Sequence, residues 1–314
     1  MMNRLNNKHF IGLEHTTKDD MQLIIDTALT FREILDRPIK KVPSLKGKNI
    51  VNLFFENSTR TKLSFELAEK RLSADVLNFS ANSSSLNKGE SLRDTVQNIQ
   101  AMKIDCAVMR HPVPGSCRQL TEYLDCPIVN AGDGTHEHPT QAMLDITSIY
   151  EKFGKIKGLK VVIVGDILHS RVAMSNIFGL KTMGAEIMLC APPHLVPKYI
   201  SDFGVKVTHN IDDALNWCDV VNVLRIQRER MGIGLVPSIK EYRDLFGITK
   251  DRIKNLNKEL VIMHPGPINR GVEIDSYVAD SDQSIILDQV LNGVAVRMSI
   301  LYLLLGTSIH EENN

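Results

Sequence analysis

The chain has 314 residues, 43% of them hydrophobic and 24% charged, which is enough length for two domains and enough apolar material for a core in each. Its 37 Lys and Arg balance 37 Asp and Glu, so no long-range field recruits nucleic acid or an anionic membrane; neither partner is expected, and any anion site must be local. Five cysteines, odd in number and without a C-x-x-C pair, argue against a disulfide framework or a zinc site and suit a reducing cytoplasmic setting.

In chain order, the first ten residues mix Asn, Lys, Arg and His without an apolar run, so neither a signal peptide nor an anchor is expected there. Residues 49–56 read as a buried strand that stops at Ser58-Thr59-Arg60-Thr61 and restarts as a helix over 61–72. A strand at 74–80 leads into the polar loop "SANSSSLNKGE" (80–90), whose length suggests function or mobility, and then a helix at 91–102. Strands at 105–111 and 127–131 and a helix at 140–153 complete a first set. "YEKFGKIKGLK" (150–160) is charged and glycine-containing, as a domain junction tends to be. A second set follows, with strands at 160–166, 186–191, 205–209, 219–225 and 259–264 and a helix at 171–183. The apolar stretch 285–305 carries Asp288, Gln289, Asn292 and Arg297 and reads as a buried helix rather than a bilayer span.

This alternation predicts an α/β protein of two doubly wound domains, each a parallel sheet flanked by helices, divided as 1–150 and 151–284. The C-terminal helix, within 285–314, is expected to pack back on the first domain. Ligands of such sheets bind outside the carboxyl ends of the strands, so the residues placed there matter most.

At the first such corner stand Ser58, Thr59, Arg60 and Thr61. Hydroxyls and backbone N–H groups at a helix start, with the positive end of its dipole, hold phosphate without a glycine-rich loop, and Arg60 adds a forked cation. Ser and Thr there are more often plain caps; the arginine among them favours the anion. Arg110 and His111 end the strand 105–111, and His138, Thr140 and Gln141 open the next helix. His136 and His138 could be a metal pair, but no third ligand of suitable spacing accompanies them, and no metal or cofactor is expected; His138 donating to a carbonyl is the better reading. In the second half, "VVIVGDILHSR" offers the single glycine Gly165 where a dinucleotide fingerprint needs three, and Arg171 takes the helix start instead. Arg225, Gln227 and Arg230 follow one strand and the turn Pro265-Gly266-Pro267 another. Taken together, the strand ends form a phosphate-like group in the first domain and a carboxylate-like group in the second.

Seven motifs in order, "FFENSTRTKLSFE", "SLNKGESLRDT", "MRHP", "GDGTHEHPTQAMLD", "GDILHSRVAMSN", "LRIQRER" and "HPGPINRGVEI", span residues 54–274 and resemble the transcarbamylase family, on its aspartate-carbamoylating side. The resemblance implies a carbamoyl phosphate-binding first domain, an aspartate-binding second domain, and transfer of the carbamoyl group of carbamoyl phosphate to the amine of L-aspartate in pyrimidine biosynthesis. It implies that Ser58, Thr59, Arg60 and Thr61 bind the phosphate, that Arg110 bridges phosphate and carbonyl, and that Thr61, Arg110 and His138 polarise the carbonyl oxygen. Gln141, with the Pro265 and Gly266 carbonyls, would hold the carbamoyl nitrogen, and Arg171, Arg225 and Gln227 would grip aspartate. Ser84 and Lys88 would serve the active site of a neighbouring subunit in a homotrimer, Lys88 also reaching aspartate, and the family allows for separate regulatory chains. Glu56, with Arg171 and Arg230, resembles the bridge of the closed domain arrangement. Lys62 and Gly266 depart from residues often found in relatives, one keeping the charge and the other at a place where backbone is used.

Ornithine is the rival acceptor, but its ammonium calls for an acid and an H-C-L-P turn, whereas this chain has Arg225-Ile226-Gln227 and His264-Pro265-Gly266-Pro267. A nicotinamide-dependent dehydrogenase lacks its glycines here, and a noncatalytic anion-binding homologue should lack some polarising residues, all of which are retained.

Overall fold

The computed structural model describes residues 4–80, 91–226 and 238–306. The chain divides into two compact units, Met1–Thr147 with Leu291–Asn314, and Ser148–Val290.

The first unit holds α1 (Lys18–Leu35), β1 (Asn49–Phe54), α2 (Thr59–Arg71), β2 (Asp75–Ser80), α3 (Leu92–Ala101), β3 (Cys106–His111), α4 (Ser116–Leu120) and β4 (Ile128–Asp133), and α5 (Pro139–Phe153) begins in it. Its strands are all parallel, in the order β2-β1-β3-β4. Val51 and Leu53 of β1, Ala107 and Met109 of β3 and Ile128 of β4 pack with Val96 and Ile99 of α3 and Leu120 of α4. Near-continuous apolar strands of this kind are what a sheet covered on both faces requires. The helix α1, absent from the sequence expectations, is written locally: Thr17 accepts from the Asp20 backbone N–H, Asp19 and Asp20 occupy the first turn, and Met21, Ile24, Ile25, Ala28 and Phe31 form a buried stripe.

The second unit holds β5 (Lys160–Val164), α6 (Arg171–Met183), β6 (Glu186–Cys190), β7 (Lys206–Thr208), α7 (Ile211–Trp217), β8 (Val220–Val223), α8 (Ile239–Phe246), α9 (Lys250–Lys254), β9 (Val261–Met263) and α10 (Ser276–Ala279). Its parallel strands run β7-β6-β5-β8-β9. Val162, Val164, Val221, Val223 and Ile262 supply its core, with Leu215 of α7 and Phe246 of α8.

The last helix, α11 (Ile286–Leu305), packs on the first unit as expected. Ser299 Oγ donates to the Ile24 carbonyl of α1 at 2.9 Å, and Tyr302 meets Phe31 edge to face at 5.7 Å. It is long and apolar enough to cross a membrane by composition, yet 72% of its most apolar window is buried inside the protein, which fits a core helix.

Several boundaries differ from the sequence reading, four of them for reasons the fold supplies. The helix expected over 61–72 begins at Thr59, so Thr59, Arg60 and Thr61 are its first turn and Ser58 its N-cap. The strands expected at 205–209 and 259–264 shrink to Lys206–Thr208 and Val261–Met263, because each lies at a sheet edge with a single strand neighbour among the described residues, Ile262 adding only an isolated bridge to Ser284. The strand expected at 127–131 runs on to Asp133, which pairs with His111 after a shift of register beyond Met109.

Candidate active site

In the first sheet the chain leaves β1 for β2 on one side and returns as β3 on the other, so a crevice opens beyond the carboxyl ends of β1 and β3. Glu56, Ser58 and the first turn of α2 follow one strand, and Arg110 ends the other. The capping reading fails here: Ser58 makes no side-chain cap bond, and the first turn of α2 contains no acid. By contrast Thr17, Ser91, Ser170, Asn210, Ser238 and Thr249 each accept from a backbone N–H of the helix they precede. The first bond of the α2 ladder runs from Lys62 N to the Ser58 carbonyl at 3.1 Å, so the N–H groups of residues 59–61 precede it, as anion binding at a helix start requires.

Arg110 gathers this corner. Its Nη2 lies 2.7 Å from Glu56 Oε1, and its Nη1 donates to the Ala131 carbonyl at 3.1 Å and, weakly, to Thr61 Oγ1 at 3.5 Å. Both side chains of the ion pair are largely buried. A guanidinium held by β4, α2 and Glu56 has its orientation set before any ligand arrives.

His138 is 4% exposed just ahead of α5, its carbonyl accepting from Gln141 N at 2.9 Å and Ala142 N at 3.2 Å. The neighbouring Glu137, which the sequence reading passed over, fixes this entry: its buried carboxylate accepts from Leu13 N at 2.9 Å and 3.0 Å and from Glu14 N at 3.3 Å. Asp133 holds the turn from within, accepting from Gly115 N and Asn130 Nδ2, both at 2.8 Å, and pairing with His136 Nδ1 at 3.2 Å. Burial opposes ionisation of Asp133, but hydrogen bonds from His136, Asn130 and Gly115 outweigh it and hold its pKa below the usual value. The same hydrogen bond raises the pKa of His136 against the effect of burial. His136 is therefore committed to Asp133, whereas Gln141 donates from Nε2 to Asp145 Oδ1 at 3.1 Å. The only signal for Glu137 and Asp133 was acids beside the histidines in "GDGTHEHPTQ", which do not reveal their partners.

In the second sheet the corresponding crevice lies beyond β5 and β8. Gly165 turns the chain out of β5 at φ 123°, and a Cβ there would stand 3.0 Å from the Leu224 carbonyl, so the position needs glycine for conformation and space alike. Asp166 accepts from His169 Nδ1 at 2.8 Å, Ser170 caps α6, and Arg171 follows as its first residue, 4% exposed. Arg225 stands just past β8, half-buried. Past β9, the Gly266–Pro267 bond is cis, and His264 pins the turn: its Nδ1 accepts from Gly266 N at 2.8 Å while Nε2 faces Glu273 Oε1 at 3.2 Å. Glu273 Oε1 also accepts from Asn269 N at 2.6 Å, so the backbone around Pro265 and Gly266 is braced by a buried His–Glu pair.

The structure thus places Ser58, Thr59, Arg60, Thr61 and Arg110 at the carboxyl ends of β1 and β3, with His138 and Gln141 at the opening of α5 in the same unit, and sets Arg171 and Arg225 beyond the strands of the other. Ser84, Lys88, Gln227 and Arg230 lie outside the described residues.

Two family models match the chain: the aspartate/ornithine carbamoyltransferase carbamoyl-P binding domain over residues 8–151, and the Asp/Orn binding domain of the same family over residues 157–304. The chain is 61% identical over 304 residues to the aspartate carbamoyltransferase catalytic subunit of Christiangramia forsetii, covering 97% of this chain and 98% of that one. It is also 61% identical over 305 residues to that of Cytophaga hutchinsonii, covering 97% and 99%. Among solved structures it resembles Trypanosoma cruzi aspartate transcarbamoylase in complex with carbamoyl aspartate and phosphate, with a TM-score of 0.87 and 30% identity over 96% of this chain and 97% of that one. The catalytic subunit of M. jannaschii aspartate transcarbamoylase superposes with a TM-score of 0.83 at 36% identity, covering 98% and 100%.

Proposed function

The chain belongs to the aspartate/ornithine carbamoyltransferase family, and from that membership we propose how its two units divide the work. The reaction is transfer of a carbamoyl group from carbamoyl phosphate to the amine of L-aspartate, giving N-carbamoyl-L-aspartate and phosphate as a step towards pyrimidines. The first unit takes the donor: Ser58, Thr59, Arg60 and Thr61 bind its phosphate, Thr61, Arg110 and His138 face its carbonyl oxygen, and Gln141 accepts from its nitrogen together with the Pro265 and Gly266 carbonyls. Arg171 and Arg225, with Gln227 and Lys88, bind the two carboxylates of aspartate.

The uncharged amine attacks the carbonyl carbon, a C–N bond forms, and charge grows on the carbonyl oxygen until the C–O bond to phosphate breaks. One preorganised donor to such an oxygen is worth ~2.7 to 4 kcal/mol. The departing phosphate takes the amine proton, so kcat should show no dependence on a protein group with a near-neutral pKa. Ser84 and Lys88 act across subunits of a homotrimer, which separate regulatory chains can join, and Glu56 with Arg171 and Arg230 stabilises the closed form. The setting is cytoplasmic, in keeping with five free cysteines.

The observation that carries this reading is the uncapped, acid-free start of α2 beside the prepositioned Arg110. The test compares aspartate with ornithine as acceptor on purified protein. Turnover is expected with aspartate only, and Arg110→Ala should lower kcat by roughly 10²- to 10³-fold. Equal use of ornithine, or an Arg110→Ala enzyme of normal rate, would overturn it.

A further inference from the structure

Arg297 sits in the middle of α11 with 3% of its surface exposed, a place where arginine is rare without a role. Its Nη1 donates to Ser64 Oγ at 3.0 Å and to the Gly293 carbonyl at 2.8 Å, and its guanidinium lies 5.0 Å from the centre of the Phe65 ring. Ser64 and Phe65 belong to the second turn of α2, directly after the turn that carries Arg60 and Thr61. Gly293 makes the room: a Cβ there would stand 2.7 Å from Arg297 Nη1 and 3.1 Å from Leu144 Cδ2 of α5.

Burial lowers the Arg297 pKa to about 10, the field of Asp145 opposing it, so the cation persists at neutral pH. Asp145 is itself fully buried on α5 and accepts the Gln141 amide. With Nε2 committed to Asp145, the hydrogen-bond pattern leaves Gln141 Oε1 as the atom to present outward. An amide oxygen is the polarity that a carbamoyl NH₂ needs.

We propose that Arg297 is a positioning residue for the transfer reaction: from α11 it holds α2 and the Asp145–Gln141 pair of α5 in one alignment, so that phosphate-side donors and the carbamoyl-side acceptor address the same substrate. It touches no substrate, and the proposal rests on the role given to Gln141 above.

A purely structural role predicts a loss of stability with no coupling to the carbamoyl side, because removing one member of a buried charge pair strands the other. The test is a double-mutant cycle on the full-length enzyme, reading kcat, KM for carbamoyl phosphate and Tm. Arg297→Met is expected to lower Tm, since Asp145 stays buried without its counter-charge, and to lower kcat of the folded enzyme about tenfold in the wild-type background but less than about twofold when Gln141→Ala is already present. Arg297→Lys keeps the charge without the flat fork and should give an intermediate loss; it carries the same cycle should Arg297→Met not accumulate folded. Equal fold losses in both backgrounds, or a lower Tm with kcat unchanged, overturn the proposal while leaving the role of Gln141 standing. If Gln141→Ala alone leaves kcat and KM intact, the carbamoyl-side reading falls and this inference falls with it.

Discussion

Arg110 divides its guanidinium among Glu56, Thr61 and Ala131, and the first of these is a carboxylate that would compete with any anion for the same cation. Glu56 lies on the loop after β1, 2.7 Å from Nη2, and neither side chain is more than a fifth exposed. On the proposed reading, a phosphate bound at Arg110 has to displace that carboxylate or share the fork with it. Replacing Glu56 by glutamine keeps the shape and removes the competing charge, so inorganic phosphate should bind about tenfold more tightly, equivalent to ~1.4 kcal/mol. Calorimetric titration at fixed ionic strength reads this directly, and unchanged affinity would mean that the pair is spectator to the anion. The residue scale is also where the sequence was most legible: that Ser58 to Thr61, Arg110, His138 and Gln141 stand at strand ends and helix starts is visible as letters, while the roles proposed for them await the tests above. Glu137, Asp145 and Arg297 were not legible in this way, since their meaning lies in partners such as Leu13, Gln141 and Ser64 that only folding brings near.

Strand β1 and helix α2 are pinned together by a buried pair. Asn52 Nδ2 donates to Glu69 Oε2 at 2.9 Å, and both side chains are fully buried. Burial pushes the Glu69 pKa up to about 8 against the opposing hydrogen bond from Asn52, with nearby Glu66 raising it further. A carboxyl with a folded pKa of about 8 and an ordinary value of 4.5 binds its proton more tightly when folded. Its contribution to stability is complete below pH 4.5 and is lost as pH rises through 8, at up to ~1.4 kcal/mol per pH unit. Glu69→Gln removes this sensitivity, so its advantage over the wild type in urea denaturation should grow from pH 5 to pH 8 and then level off. Other titrating groups are common to both proteins and cancel; a difference flat with pH would dismiss the buried acid. Element boundaries were legible where capping and apolar period agree, as at Ser91 for α3 and Ser170 for α6. The helix reading of 61–72 starts two residues later than α2 because Thr59, Arg60 and Thr61 look like loop when no side-chain cap precedes them.

Both units repeat one design, a parallel sheet whose order reverses beside its first strand, with a cation set at each reversal: Arg110 at the end of β3 in one and Arg171 at the start of α6 in the other. The proposed division into two anion-handling halves makes a separable prediction, because phosphate should report on the first unit alone. A ligand at a hundred times its dissociation constant adds ~2.7 kcal/mol to the folded state, which in a protein of this class amounts to about 5 to 10 °C in Tm. Phosphate should therefore raise the Tm of the wild type and of Arg171→Ala by similar amounts and leave that of Arg110→Ala unmoved. An aspartate analogue lacking the amine, such as succinate, offered with phosphate already bound, should stabilise the wild type further and fail with Arg171→Ala. Loss of the phosphate response in Arg171→Ala would mean that the second unit helps to build the donor site, and the division of labour by unit would have to be abandoned. Retention of it, together with loss of the succinate response, would locate the choice of acceptor in the crevice beyond β5 and β8, where Gly165 gives the chain room to bring Arg171 close to the strand ends.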